Sequence, residues 1–178
     1  SRGATYIALG LLWRDGTHDR SAAVSVLRGV LDLQYEDGPD SKLHGVWRRR
    51  QGETDHDSNW REFVGCGLIL ILETFPDRLP GDLVSDIKAA LVRAAVGSAR
   101  RDVGAGYTNI ALMSAFLLDY VGTQQGRDDL RQAGQESLGA RSVCLTCQTT
   151  SGKLTTLLPR SPTSWNGCTG PGRIGRSL

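Results

Sequence analysis

The sequence predicts an all-α protein built from helical hairpins. Two observations carry this. Apolar residues before residue 140 recur at helical spacing, and no stretch alternates with period two long enough to argue for a sheet. Nearly all-apolar helical runs also alternate with amphipathic ones, the pattern of inner helices shielded by outer ones. A third observation gives the order. "ATYIALGL" near the start nearly repeats as "YTNIALM" at residues 107–113.

In the first helical segment, Tyr6, Ile7, Leu9, Leu11 and Leu12 make a run expected to be buried on most sides. The second, "HDRSAAVSVLRGVLDLQ", has Asp19 or Ser21 as a cap. Val24, Leu27, Val30, Leu31 and Leu33 form its face. "YEDGPDSKLHG" is a loop. The third helix, "DSNWREFVGCGLILILETF", is capped by Asp57 or Ser58, with Glu62 near its first turn. "PDRLPGD" closes it, and Pro80 suits the start of a fourth helix. Leu83, Ile87, Ala90, Leu91 and Ala94 line one face of that helix. Arg100 and Arg101 suit its carboxyl end. "DVGAG" stops it, a fifth helix runs from near Tyr107 to about Val121, and a weaker sixth spans roughly 126–138.

Asn59 heads the third helix and Asn109 the fifth, 50 residues on, while Tyr6 heads the first, 53 residues before Asn59. That is the period of one hairpin with its loops. It places the three inner helices parallel, with Tyr6, Asn59 and Asn109 as equivalent heads on one mouth of a ring.

The length allows one domain with a real core. Net charge is +2, which gives no case for nucleic acid, and no uninterrupted apolar run is long enough to span a bilayer. The charge is unevenly spread. Residues 141–178 hold five basic and no acidic side chains, so the first 140 carry a net −3. The domain is therefore expected over 1–140, with 141–178 an irregular or disordered tail rich in Ser, Thr, Gly, Pro and Arg. The chain opens on Ser1 rather than Met, as a trimmed or partial chain would. Cys66 reads as a buried thiol.

The densest polar and aromatic cluster is "LHGVWRRRQGETDHDSNW", just before the third helix. Trp47 and Trp60 offer flat faces for sugar rings, and Arg48, Arg49 and Arg50 suit carboxylates. Asp55-His56-Asp57 has the composition of a metal or acid/base trio, but neighbouring residues point apart, and no metal is expected. Cys144 and Cys147 have only Cys168 as a further cysteine and no His in the tail, too few ligands for zinc. Gly104-Ala-Gly106 follows no strand and precedes no suitable Lys, so it is a helix stop and no phosphate cofactor is implied. Asn109 is a poor helix former. Either Thr108 caps the fifth helix and leaves the Asn109 amide free for an anion or hydroxyl, or Asn109 is itself the cap.

With "DSNWREFVGCGLILILE" and "VGAGYTNIALM" in view, residues 1–140 resemble the α/α-toroid proteins, among them alginate lyases and heparinase II/III-type polysaccharide lyases. The resemblance implies an incomplete α/α toroid, since a full ring needs about twice as many hairpins. It implies a carbohydrate or other small polar ligand, and elimination of uronate-containing polysaccharides. Asn59 or Asn109 would neutralise the uronate carboxylate, and Tyr107 or His44 would serve as base or acid. Trp47, Trp60 and Arg48 would hold the sugar. Relatives continue into a segment like Glu-Tyr-Asn-Ser-Pro-Thr-Tyr. Codons allowed for residues 152–158, read one base out of step, spell Glu-Ile-Asn-Tyr-Pro-Thr, so a frame-shifted tail is an expectation for the transcript to test. A non-catalytic helical-repeat binding module and an inactive fragment are the alternatives.

Overall fold

Helices alternate between two layers in the computed structural model, which describes residues 1–54, 56–101, 103 and 107–149, the last eleven by backbone alone. In order they are α1 (Arg2–Arg14), α2 (Asp19–Leu31), α3 (Trp60–Thr74), α4 (Gly81–Ala99), α5 (Thr108–Gln125) and α6 (Asp128–Thr149), with a 3₁₀ turn at Pro76–Arg78. Among the described residues extended pairing is limited to isolated bridges, Gln34 with Trp47 and Arg48 with His56. The all-α expectation holds. The sixth helix runs on to Thr149, past the expected boundary at residue 140. Residues 150–178 of the expected tail lie outside the described residues.

One layer is α1–α3–α5 and the other α2–α4–α6, with each odd helix packed on the even helix that follows it. The odd helices run parallel, because their contacts pair like ends. The Arg2 guanidinium stacks on Phe63 near both amino ends, and Trp13 meets Phe75 edge-on at the carboxyl ends. Cys66 Sγ lies 3.6 Å from the Met113 carbonyl, and the Tyr120 hydroxyl donates to Glu73.

These contacts also set the register, and it corrects the repeat. Thr5 packs where a side chain on Gly67 would stand. Levels in α1 and α3 are thus 61 or 62 residues apart, and those in α3 and α5 are 47 apart. Tyr6 does not head α1, which begins at Arg2. It lies level with Gly67 and Leu68, two turns deeper than Asn59. Asn109 lies level with Glu62, one turn deeper than Asn59. The three are not equivalent positions.

The core forms between the layers. Leu83, Ile87, Ala90, Leu91 and Ala94 of α4 are all buried, as their spacing predicts. They meet Leu27, Val30, Trp47, Val64, Leu68, Ile71, Leu117 and Leu118. Each fully buried Leu or Ile contributes roughly 1.5–3 kcal/mol. The expectation that α1 is buried on most sides is overturned. Only Thr5, Ala8 and Leu12 are buried, because α1 packs α2 and α3 on one side and, among the described residues, nothing covers the other.

The helix ends follow local chemistry. Asp15, in the left-handed region at φ 56°, closes α1 and returns its N–H to the Leu11 carbonyl. Asp19 then accepts from the Gly16 N–H and from Arg14, which pins the turn into α2. Its carboxyl pKa is held down to about 2 by the Arg14 hydrogen bond and the Gly16 N–H. The expected caps of α3 shift by one or two residues. Asn59 takes the cap position, and Asp57 accepts from the Asn59 N–H instead. Tyr107 takes the cap position of α5 with no side-chain bond, so neither Thr108 nor Asn109 caps it.

Candidate functional site

The buried stripe of α3 comprises Val64, Leu68 and Ile71, and one turn earlier the same stripe carries Arg61. A guanidinium there must find acceptors inside the protein. Arg61 is 3 % exposed. Its Nε donates to the His44 carbonyl at 2.8 Å and its Nη2 to the Lys42 carbonyl. Both acceptors belong to the loop that precedes α3, so Arg61 ties that loop to the helix. Burial lowers the Arg61 pKa, with Arg101 adding to the effect and Glu62 opposing it. A guanidinium stays charged through such a shift.

Two glycines make this approach possible. A side chain at Gly97 would meet the His44 carbonyl at 2.2 Å and Arg61 Nε at 2.6 Å. Gly45 stands at φ 72°, and its Cβ would lie 2.4 Å from the Arg93 carbonyl. The loop can therefore lie directly on α4, which brings Lys42 and Ser41 beside the carboxyl end of that helix.

Glu62, next to Arg61, is fully buried. It accepts from Ser98 Oγ at 2.8 Å, and Ser98 shares a 2.8 Å hydrogen bond with Ser114. Its second oxygen lies 3.5 Å from Arg101 Nη1. Burial pushes the Glu62 carboxyl pKa up, and Ser98 and the two arginines only partly offset that. Arg101 in turn donates to Asn59 Oδ1 at 2.6 Å. Because Arg101 can only donate, the Asn59 oxygen faces it and the amide NH₂ faces away as a donor.

Together these residues enclose a cleft of about 320 Å³ at the amino end of α3, lined by Ser41, Lys42, Ser58, Arg61, Arg100 and Arg101. Asp40 also lines it and pairs with Arg100 at 2.8 Å. Four cations and one carboxylate thus line it, between the amino end of α3 and the carboxyl end of α4, whose dipoles oppose each other there. Such a cleft can hold an anion by charge-assisted hydrogen bonds.

A larger cleft of about 870 Å³ lies between α2, α4 and the loop after α2. Its three arginines are Arg28, Arg48 and Arg93. They share it with Asp32, Glu36, Asp37 and Asp86, so it carries no excess of positive charge. Arg93 pairs with Glu36 at 3.3 Å and donates to Gln34, and Arg48 lies over the Tyr35 ring.

The residues singled out from sequence therefore separate. Asn59 stands at the rim of the cation-rich cleft, and Trp60, half-buried, follows it as the first residue of α3. Tyr107 and Asn109 are exposed at the same end of the layer. Arg48 lies in the other cleft. Trp47 corrects its expected role as a sugar platform, since it is fully buried in the core and presents no face. Its indole nitrogen has no hydrogen-bond partner. His44 likewise does not open to the rim. It is buried, and its Nδ1 donates to the Asp37 carbonyl at 2.6 Å. Asp55 and Gly104–Gly106 lie outside the described residues.

Sequence reasoning missed Arg61, Glu62, Arg100, Arg101 and Ser98 as one assembly. A signal existed for Arg61, a charged residue on the otherwise apolar stripe of α3. Arg100 and Arg101 had already been explained by the helix dipole, and nothing local linked them to Asn59. Among the described residues no group of three His, Cys, Asp or Glu could hold a metal ion. No described helix is long and apolar enough to cross a membrane.

Fold and site define a two-layered helical-hairpin domain with a cationic cleft at the amino end of its central helix. Residues 1–145 match the model of DUF8769, a domain of unknown function, and the chain belongs to that family. No curated protein and no solved structure matches it.

Proposed function

We propose that this domain binds an acidic carbohydrate, with the carboxylate of a uronate unit seated in the cleft at the amino end of α3. The observation that carries the reading is the excess of cations there. Lys42, Arg61, Arg100 and Arg101 line the cleft with Asp40, and the one further carboxylate in contact with them among the described residues is the buried Glu62 behind Arg101. The parallel α1–α3–α5 layer backed by α2–α4–α6 supports an incomplete α/α toroid. In that arrangement the cleft and the exposed Tyr107 and Asn109 share one mouth.

If the domain is catalytic, the reaction is elimination. A base removes the proton on the carbon beside the carboxylate, the C4–oxygen bond breaks, a C4–C5 double bond forms, and the leaving oxygen takes up a proton. Donors on the carboxylate stabilise the charge that builds up on it. The Asn59 amide and the cleft cations supply these, and Tyr107 is the exposed candidate base. Incubation with uronate polymers, following the ultraviolet absorbance of the unsaturated product, tests this step. A rise that is lost in Tyr107→Phe is expected. No rise on any polymer with folded protein overturns the elimination.

The second reading is a binding module without catalysis. The burial of His44 favours it, since one of the two candidate acid/base residues is committed to the loop. That reading predicts uronate binding without product.

A further inference from the structure

The outer face of the α1–α3–α5 layer is apolar, and among the described residues nothing covers it. Tyr6, Ile7 and Trp13 of α1, Leu70 of α3, and Leu112 and Phe116 of α5 are 45–73 % exposed. Half-buried Phe63, Cys66 and Met113 lie between them. With aromatic side chains of roughly 150–250 Å² each, the six exposed residues present several hundred Å². A stable interface takes about 800 Å² from each partner, and scattered surface residues do not make a patch of this size.

We propose that this face is the interface of a homodimer, in which a second copy packs on it with its helices antiparallel. The face is complementary to itself. Gly3, Tyr6, Gly10 and Trp13 fall on the open side of α1, and the space beside both glycines is empty. Two glycines in an exposed helix cost about 1 kcal/mol each relative to alanine, which a hollow for a partner accounts for. A two-fold axis across the layer at the level of Ala8 sets Trp13 over Gly3 of the second copy and Tyr6 over Gly10. Each large ring meets a hollow.

The register extends this to the other helices. The level of Ala8 in α1 is that of Leu70 in α3 and of Leu117 in α5. The same axis therefore passes through Leu70, the most exposed residue on the α3 stripe, and brings Phe116 against Phe116 of the second copy. At the ends, Arg2 of one copy falls at the level of Arg14 of the other, whose charge Asp19 already meets, while Asp15 is paired with Arg78 in its own copy. The cation-rich cleft lies between α3, α4 and the preceding loop, so the dimer leaves the cleft itself open, while Asn109, on the same α5 stripe as Leu112 and Phe116, comes under the second copy.

Light scattering on the full chain at tens of micromolar is expected to give twice the chain mass. Gly10→Leu fills the hollow, with its Cβ meeting no described atom within 4 Å, and favours the helix. It is expected to raise the dimer dissociation constant at least tenfold with unchanged circular dichroism, as is Trp13→Glu. The axis is tested by Leu70→Cys in a chain whose four native cysteines are replaced by serine. Leu70→Cys is expected to form an interchain disulfide faster than Leu138→Cys on α6. A monomer overturns the proposal, whether or not it takes up some other protein on this face. So does a dimer in which Gly10→Leu has no effect, or in which Leu70→Cys crosslinks no faster than Leu138→Cys.

Discussion

The two clefts hold similar numbers of cations and differ in what opposes them. The larger one, between α2 and α4, has three arginines against four carboxylates. The smaller one, at the amino end of α3, is lined by four cations and one carboxylate, with Glu62 buried behind Arg101. Size alone selects the first as a binding site. Charge selects the second, whose surroundings stay net positive even with the buried Glu62 counted, while the lining of the first is net negative. The difference arises from a backbone device. Arg61 spends its donors on carbonyl oxygens, which satisfy hydrogen bonding without cancelling its charge.

The largest expected effect comes from removing that device. Arg61→Ala leaves the His44 and Lys42 carbonyls without their donor and unties the loop from α3. The expected loss is about 3 kcal/mol of stability, read by urea unfolding. The same change at Arg48, whose ring contact is with Tyr35 in the larger cleft, is expected to cost about 1 kcal/mol or less. Equal costs would erase the distinction between the clefts.

A smaller effect concerns Glu62. Its folded pKa is raised by burial, so the native state binds a proton more readily than the unfolded chain. Its contribution to stability is therefore present at low pH and falls as pH rises above about 4.5, levelling off above the folded value. In thermal melts from pH 4 to 8, Glu62→Gln is expected to gain on the wild type as pH rises. A constant difference between the two curves would contradict a perturbed Glu62.

The smallest effect lies at the far end of the layer. Asp19 has its pKa depressed to about 2, so its stabilisation is present above about pH 4 and is lost as pH falls through 2. Asp19→Asn is expected to melt below the wild type at neutral pH, with the gap closing near pH 2. A gap that persists there would assign the loss to packing.

Much of the fold was legible because helical periodicity reports burial directly. The face of α4 from Leu83 to Ala94 is buried as its spacing requires, and the parallel inner helices follow from the repeated apolar runs. The open side of α1 was not legible, because an all-apolar run has the same composition whether its second face meets a core or a partner. The head-to-head repeat misled for a similar reason. "YIAL" and "NIAL" match in sequence, but Thr5 against Gly67 and Cys66 against Met113 set the register. Asn59 was legible as a rim residue from its place ahead of an apolar helix. Trp47 was not legible as core, since polar neighbours hid a residue that the Gln34 bridge folds inward.

The claim that the amino end of α3 recognises a uronate is tested most directly by calorimetric titration with a uronate oligosaccharide and a neutral one of equal length. Lys42→Ala/Arg100→Ala removes two exposed cations of the cleft, and Arg48→Ala serves as the control from the other. The acidic oligosaccharide alone is expected to bind, at least about tenfold more weakly in the double variant, and within about twofold of wild type in Arg48→Ala. No binding of the acidic sugar, equal binding of the neutral one, or a loss in Arg48→Ala matching the double variant would contradict it.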